Sequence, residues 1–217
     1  MSGTLIGAMD VASPHSAVSP TLEGDVLVVL AGTTRPLTGR EVARLARRGT
    51  QPAVAAALSR LVRQGLVHRE EIGGAFLHTL NRDHLAAPAV LVLAGLRTEL
   101  LERLRAAVAD WEVQAVSAAL FGSAARGDGD VDSDIDLLVV RPARVDEEDE
   151  RWRTQMVRLA EGVHAWTGNH ASLIEAAEQD LPGLLDARPP VLDSLRTDAL
   201  PLAGVPPARL LPDREPA

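Results

Sequence analysis

Two aspartates, Asp134 and Asp136, stand two residues apart where a polar loop gives way to the apolar run Leu137-Leu138-Val139-Val140. Side chains alternate faces along a strand, so both carboxylates project from one side while Ile135 and Leu137 turn into a core. Neighbouring carboxylates repel unless a divalent cation or a proton sits between them. Upstream, a second apolar run ends at Leu120-Phe121 and meets Gly122-Ser123, which reads as a turn opening a short helix through Arg126 to Gly127. Free backbone N–H groups at a helix start accept an anion, and glycine lets a phosphate come close. An anion cradle beside a metal-binding pair is the equipment that nucleotidyl transfer requires.

The residues Gly122, Ser123, Arg126 and Gly127, a ten-residue gap after the Gly-Ser pair, then Asp134 and Asp136 resemble the signature of minimal nucleotidyltransferases in the DNA polymerase β superfamily. The resemblance implies that the turn and the Ser123 hydroxyl hold the phosphates of a nucleoside triphosphate, ATP by expectation. Arg126 would neutralise a phosphate, and Asp134 and Asp136 would hold Mg²⁺ or Mn²⁺. Asp134, Asp136 and Ser123 are then the candidate catalytic residues. The family pattern also implies a third carboxylate on a following strand, in a run that matches Ala171-Ser172-Leu173-Ile174 here. Ser172 falls at that position, and serine supplies no charge. Glu175, three residues on, would face the other side of a regular strand. Nucleotide binding is therefore the firmer expectation and turnover the weaker one, since losing a positioned base typically costs about 10²–10⁴ in rate.

Two rival motifs fail. Asp128, Asp130 and Asp132 suggest a calcium loop, but Ser133 and Val139 stand where glycine and glutamate are needed. Gly127-Asp128-Gly129 lacks the third glycine of a dinucleotide fingerprint.

The 217 residues suit one large domain or two small ones, at about 100–200 residues per domain. With 46% hydrophobic but only 2% aromatic residues, the core must be built of Leu, Val and Ala. There is no cysteine, which excludes disulfides and thiolate metal sites. No run approaches the roughly 18 apolar residues of a membrane span, and the first twenty residues have neither the basic start nor the long apolar stretch of a secretion signal; cytoplasmic is the expectation. The net charge of −8 is unevenly spread: residues 35–69 hold eight arginines against Glu41, while residues 128–150 hold ten acids against Arg141 and Arg144. Opposite fields imply two jobs.

The composition of residues 1–20 predicts a loose arm. Helical spacing follows over 21–31. Thr38 and Glu41 fit a capping box opening a second helix, with Val42, Leu45 and Ala46 inward. A third helix is predicted over 51–64, then strands over 66–70 and 75–80 joined at Gly73-Gly74, a hairpin signal. Three helices and a hairpin resemble a winged helix-turn-helix domain. The likeness implies DNA (or RNA) binding through Arg44, Arg47, Arg48, Gln51, Arg60 and Arg63, with a third helix in the major groove. The same fold serves as a protein-docking module, Pro52 and Ala56 are poor base readers, and both readings stay open.

The expected class is α+β: an arm (1–20), a winged helix domain (21–87), a long linking helix (88–111), a small mixed-sheet nucleotidyltransferase domain resembling polymerase β (112–200) and a proline-rich tail (201–217). The linking helix carries the stripe Val92, Leu96, Leu100, Leu104 and Val108, a core face or the seam of a homodimer. Acids at 146–150 suit the first turn of another helix. The expected function is transfer of a nucleoside monophosphate to an unknown hydroxyl. The alternatives are a nucleotide-sensing transcriptional regulator and an antitoxin-like protein acting on a protein acceptor, with weak or no turnover.

Overall fold

The structure, a computed structural model, describes residues 7–46, 48–187 and 189–212. The chain forms two compact units. One is Ser13–Thr98; the other joins the described residues up to Ala12 with those from Glu99 onward.

In the first unit the order is α1 (Leu22–Ala31), β1 (Leu37–Thr38), α2 (Gly39–Ala46), α3 (Gln51–Arg63), β2 (Val67–Ile72) and β3 (Ala75–Leu80). The three strands form an antiparallel sheet in the order β1-β3-β2. The β2–β3 hairpin turns on Gly73 and Gly74, both at positive φ (59° and 78°), the backbone that a two-residue hairpin loop of this hand demands. Thr38 and Glu41 cap α2 reciprocally: the Thr38 N–H donates to Glu41 Oε2 (2.8 Å) and the Glu41 N–H to Thr38 Oγ1 (3.3 Å). Val26, Leu30, Leu37, Val42, Val54, Leu58 and Leu61 make the core. Leu45, expected inward, is exposed; α2 is short and buries only the i, i+4 pair Val42 and Ala46.

The helix α4 (Ala87–Ala109) contributes to both units. Val90 packs into the first core, and Leu100, Leu104 and Val108 into the second. Val92, expected in one stripe with Leu100, Leu104 and Val108, is exposed, because at about 100° per residue it points away from the side on which Val90, Leu104 and Val108 lie.

The second unit is built on a four-stranded mixed sheet in the order β6-β5-β4-β7, with β4 Ser117–Phe121, β5 Ile135–Arg141, β6 Ala171–Ala177 and β7 Leu200–Gly204. Strands β4 and β5 are antiparallel, β5 and β6 parallel. The parallel pair is joined through α6 (Glu150–Thr167), as a parallel connection requires a crossover. One face of the sheet (Leu120, Ile135, Leu137, Val139) packs on α4 and on Trp152, Met156, Leu159 and Val163 of α6. The other face (Phe121, Leu138, Val140) packs on α7 (Leu181–Ala187), α8 (Val191–Thr197) and α9 (Pro207–Leu210). A single turn of helix, α5 (Gly122–Arg126), leaves the end of β4.

Both ends of the chain depart from expectation. Residues 7–20, expected to be a loose arm, are structured in part by burial: Val11 is 1% exposed in the second core and Pro14–Ala17 form a 3-10 turn. The proline-rich tail begins within a regular element, β7, whose Pro201 is accommodated on an edge strand of the sheet. Residues 1–6 and 213–217 lie outside the described residues.

Trp152 is fully buried, edge-on to Trp111 with ring centroids 5.5 Å apart, and its indole N–H donates to Glu175 Oε1 (3.0 Å). Trp152→Ala is expected to cost about 3–5 kcal/mol, the range for emptying a large core aromatic, read as a lowered urea midpoint. An unshifted midpoint would contradict this core assignment.

Candidate functional site

The site follows from strand register. Phe121 pairs with Asp136 across β4–β5, and Asp136 pairs with Ser172 across β5–β6. The first residue after β4, Gly122, therefore lies beside the Asp136 carboxylate. Its φ is +68°, and a Cβ placed there would collide with Asp136 Oδ2. Glycine is required twice, by conformation and by the carboxylate against it. The helical turn α5 closes at Gly127 (φ 77°), whose N–H donates to the Ser123 carbonyl (2.8 Å). The loop that follows folds back over the turn, so that a Cβ on Gly129 would lie 3.0 Å from Ser123 Oγ.

Asp136 is half-buried and Asp134 exposed at the strand head. Burial pushes the Asp136 carboxyl above its usual range, and the Asp134 charge pushes it further. A hydrogen bond from the Ser172 hydroxyl and the positive field of Arg126 draw it partly back. Exposed Arg126 is shared between two acids, Nε to Asp128 Oδ2 (3.1 Å) and Nη1 to Asp198 Oδ2 (3.4 Å). Thus Gly122, Ser123, Arg126, Asp134, Asp136 and Ser172 come from three adjacent strand ends.

Glu175 is no part of this cluster. It sits on the α6 face of β6, where it accepts from Arg141 Nε (2.8 Å) and from Trp152. No bulge intervenes, for the β5–β6 register runs unbroken from Ile135↔Ala171 to Arg141↔Ala177. The described residues hold no group of three or more His, Cys, Asp or Glu able to hold a metal. Two carboxylates remain, and these suit magnesium, which commonly takes one or two carboxylates and completes its octahedron from substrate phosphates and water.

Two supporting residues carry no signal in the sequence. Asn169, 2% exposed, donates through Nδ2 to the carbonyls of Ser133 (3.0 Å) and Met9 (3.1 Å), pinning the acidic loop next to Asp134. Following the helix-closing Gly168, it reads only as part of a stop signal. Asp198, far along the chain, holds Arg126.

The other set of candidates is spread over the first unit. Arg44 and Arg63 are exposed, Arg48 lies 3.6 Å from Asp25 Oδ2, and Gln51 opens α3 in the open. Arg60 is ion-paired with Glu23. Arg47 lies outside the described residues.

Residues 100–180 match the family model described as a nucleotidyltransferase domain. A crystal structure of a toxin–antitoxin with AMP-PNP is similar at 18% identity over 51% of this chain and 80% of that one, with a TM-score of 0.35, too slight to carry an argument. No curated protein matches the chain. Among the described residues no helix is long and apolar enough to cross a membrane.

The raised Asp136 carboxyl fixes a pH dependence. Its ionised form is disfavoured in the fold, so stability falls as pH rises from the ordinary value of 3.8 through the higher folded one. Asp136→Asn removes that penalty. Without ligand, the variant is expected to gain in urea midpoint over wild type across this interval, to hold the gain at neutral pH and to show none below the ordinary value. Parallel midpoint curves at all pH values would contradict it.

Proposed function

We propose that the second unit is a metal-dependent nucleotidyltransferase that moves a nucleoside monophosphate from a nucleoside triphosphate, ATP by expectation, to an acceptor hydroxyl. The observation that carries this reading is the placement of the Asp136 carboxylate against Gly122 at the head of the Gly-Ser turn. Ser123 Oγ and the backbone N–H groups of the turn bind the outer phosphates. Arg126, exposed and held only by surface ion pairs, which are individually weak, exchanges an acid for a phosphate. Magnesium or manganese held by Asp134 and Asp136 would supply the positive charge that a polyphosphate bound beside two acids needs. The acceptor oxygen displaces pyrophosphate from the α-phosphorus, and the hydroxyl proton passes to water, because Ser172 cannot take it at neutral pH.

The first unit, in this reading, is a winged helix that binds nucleic acid. The α1-β1-α2-α3-β2-β3 order, the glycine-turned hairpin and the exposed Arg40, Arg44, Arg48 and Arg63 support it. One observation favours a second reading, a nucleotide-sensing regulator or antitoxin-like protein with weak or no turnover. Ser172 takes the place opposite Asp136 where the resemblance implies an acid, and Glu175 is held by Arg141 and Trp152.

Labelled-nucleotide transfer to nucleic-acid and protein acceptors tests both. Incorporation is expected to be slow and to vanish in Asp134→Ala plus Asp136→Ala. Ser172→Asp is expected to raise it, by up to ~10²–10⁴-fold if the new carboxylate serves as base. Incorporation surviving the double substitution would overturn the site. No incorporation in either wild type or Ser172→Asp, with ATP still bound, would favour the sensor.

A further inference from the structure

A groove of about 600 Å³ lies within the first unit between α3 and the β2–β3 hairpin, lined among others by Arg40, Gln51, Ser59, Arg69, Phe76 and His78. That volume falls in the range of small-ligand sites. The chain has two phenylalanines and three tryptophans. Phe121, Trp111 and Trp152 are buried and Trp166 is half-buried, whereas Phe76 is 47% exposed with the Arg69 guanidinium 4.6 Å over its ring. An exposed aromatic under an arginine is a stacking platform for a planar group, and no core packing accounts for it.

His78 adds a polar contact at the groove. It is 7% exposed, and its Nδ1 is buried without a hydrogen-bond partner. Burial, together with the Arg69 charge, holds the ring below its ordinary value, while a hydrogen bond to the Leu37 backbone opposes that shift. The ring lines the groove, and its unpartnered nitrogen is a polar atom that core packing leaves unsatisfied. Arg40 and Arg69 lie on the same groove and make no ion pair among the described residues. The features together ask for a planar body with polar edges and an attached anion: a nucleotide.

The outward side of α3 does not suit a duplex. Pro52, Ala55 and Ala56 cannot make bidentate contacts to base edges, and Arg60 is engaged with Glu23. A concave site takes up a base that has left its stack, whereas a major groove is read by projecting side chains.

We propose that this groove receives an unpaired base of a nucleic-acid strand, with Phe76 and Arg69 stacking it and Arg40 meeting its phosphate, so that the first unit prefers single strands to duplex. The proposal rests on the reading of that unit as nucleic-acid-binding and names what it binds.

Fluorescence anisotropy of the full chain with one labelled oligonucleotide, single-stranded and annealed to its complement, tests it, with DNA and RNA arms at fixed salt. The single strand is expected to bind more tightly than the duplex. Phe76→Ala, checked for folding by circular dichroism, is expected to weaken the single strand ~5- to 100-fold, as loss of one base stack does, and to leave duplex binding unchanged. Phe76→Trp should keep affinity and lose its added indole emission on titration. Duplex binding as tight as or tighter than the single strand, or an unaffected Phe76→Ala, would overturn the unpaired-base proposal while leaving nucleic-acid binding in place. No binding in any arm would overturn both.

Discussion

A carboxylate pressed against a glycine is the constraint on which the second unit turns. Asp136 lies on Gly122 with Asp134 beside it, and the cost of holding that charge shows in its raised carboxyl. Nothing in the hydrophobic core calls for an acid there. The residue at the same face one step further along β5, Leu138, is buried in ordinary apolar packing. A half-buried carboxylate whose charge is disfavoured by burial and by a neighbouring acid is the kind of group that clusters at functional sites. The helix-covered sheet, the edge strand β7 and the clamp of Asn169 on the loop at Ser133 all serve to keep three strand ends in register around it.

The same register explains why the site is incomplete in acids. A parallel neighbour presents Ser172 to Asp136 and sends Glu175 to the opposite face, where Arg141 and Trp152 hold it. The Ser172 hydrogen bond makes Asp136 easier to ionise but adds no charge for metal and no base for an acceptor hydroxyl. In the first unit the chemistry is of another kind: arginines at the surface, an exposed ring, and a buried imidazole with one free nitrogen.

Much of this was legible in the sequence because it rests on short-range pattern. The i, i+2 aspartates, the Gly-Ser turn, the Gly-Gly hairpin and the Thr38–Glu41 cap are local devices, and even the opposite facing of Ser172 and Glu175 follows from the two-residue period of a strand. What stayed hidden depends on contacts distant in sequence. Val11 enters a core made by residues 100–163, and Pro201 is tolerated only because β7 takes a sheet edge. Neither composition nor periodicity carries that information. Asn169, Asp198 and His78 matter through partners 36, 72 and, on the sheet, 41 residues away.

The most direct test of the central claim is isothermal titration of ATP into the wild-type chain and into Asp136→Asn, each with magnesium and again with EDTA. Heat is expected only for wild type with magnesium present, since the two acids and the triphosphate need the cation between them. Equal heats in EDTA, or binding untouched by Asp136→Asn, would contradict the account.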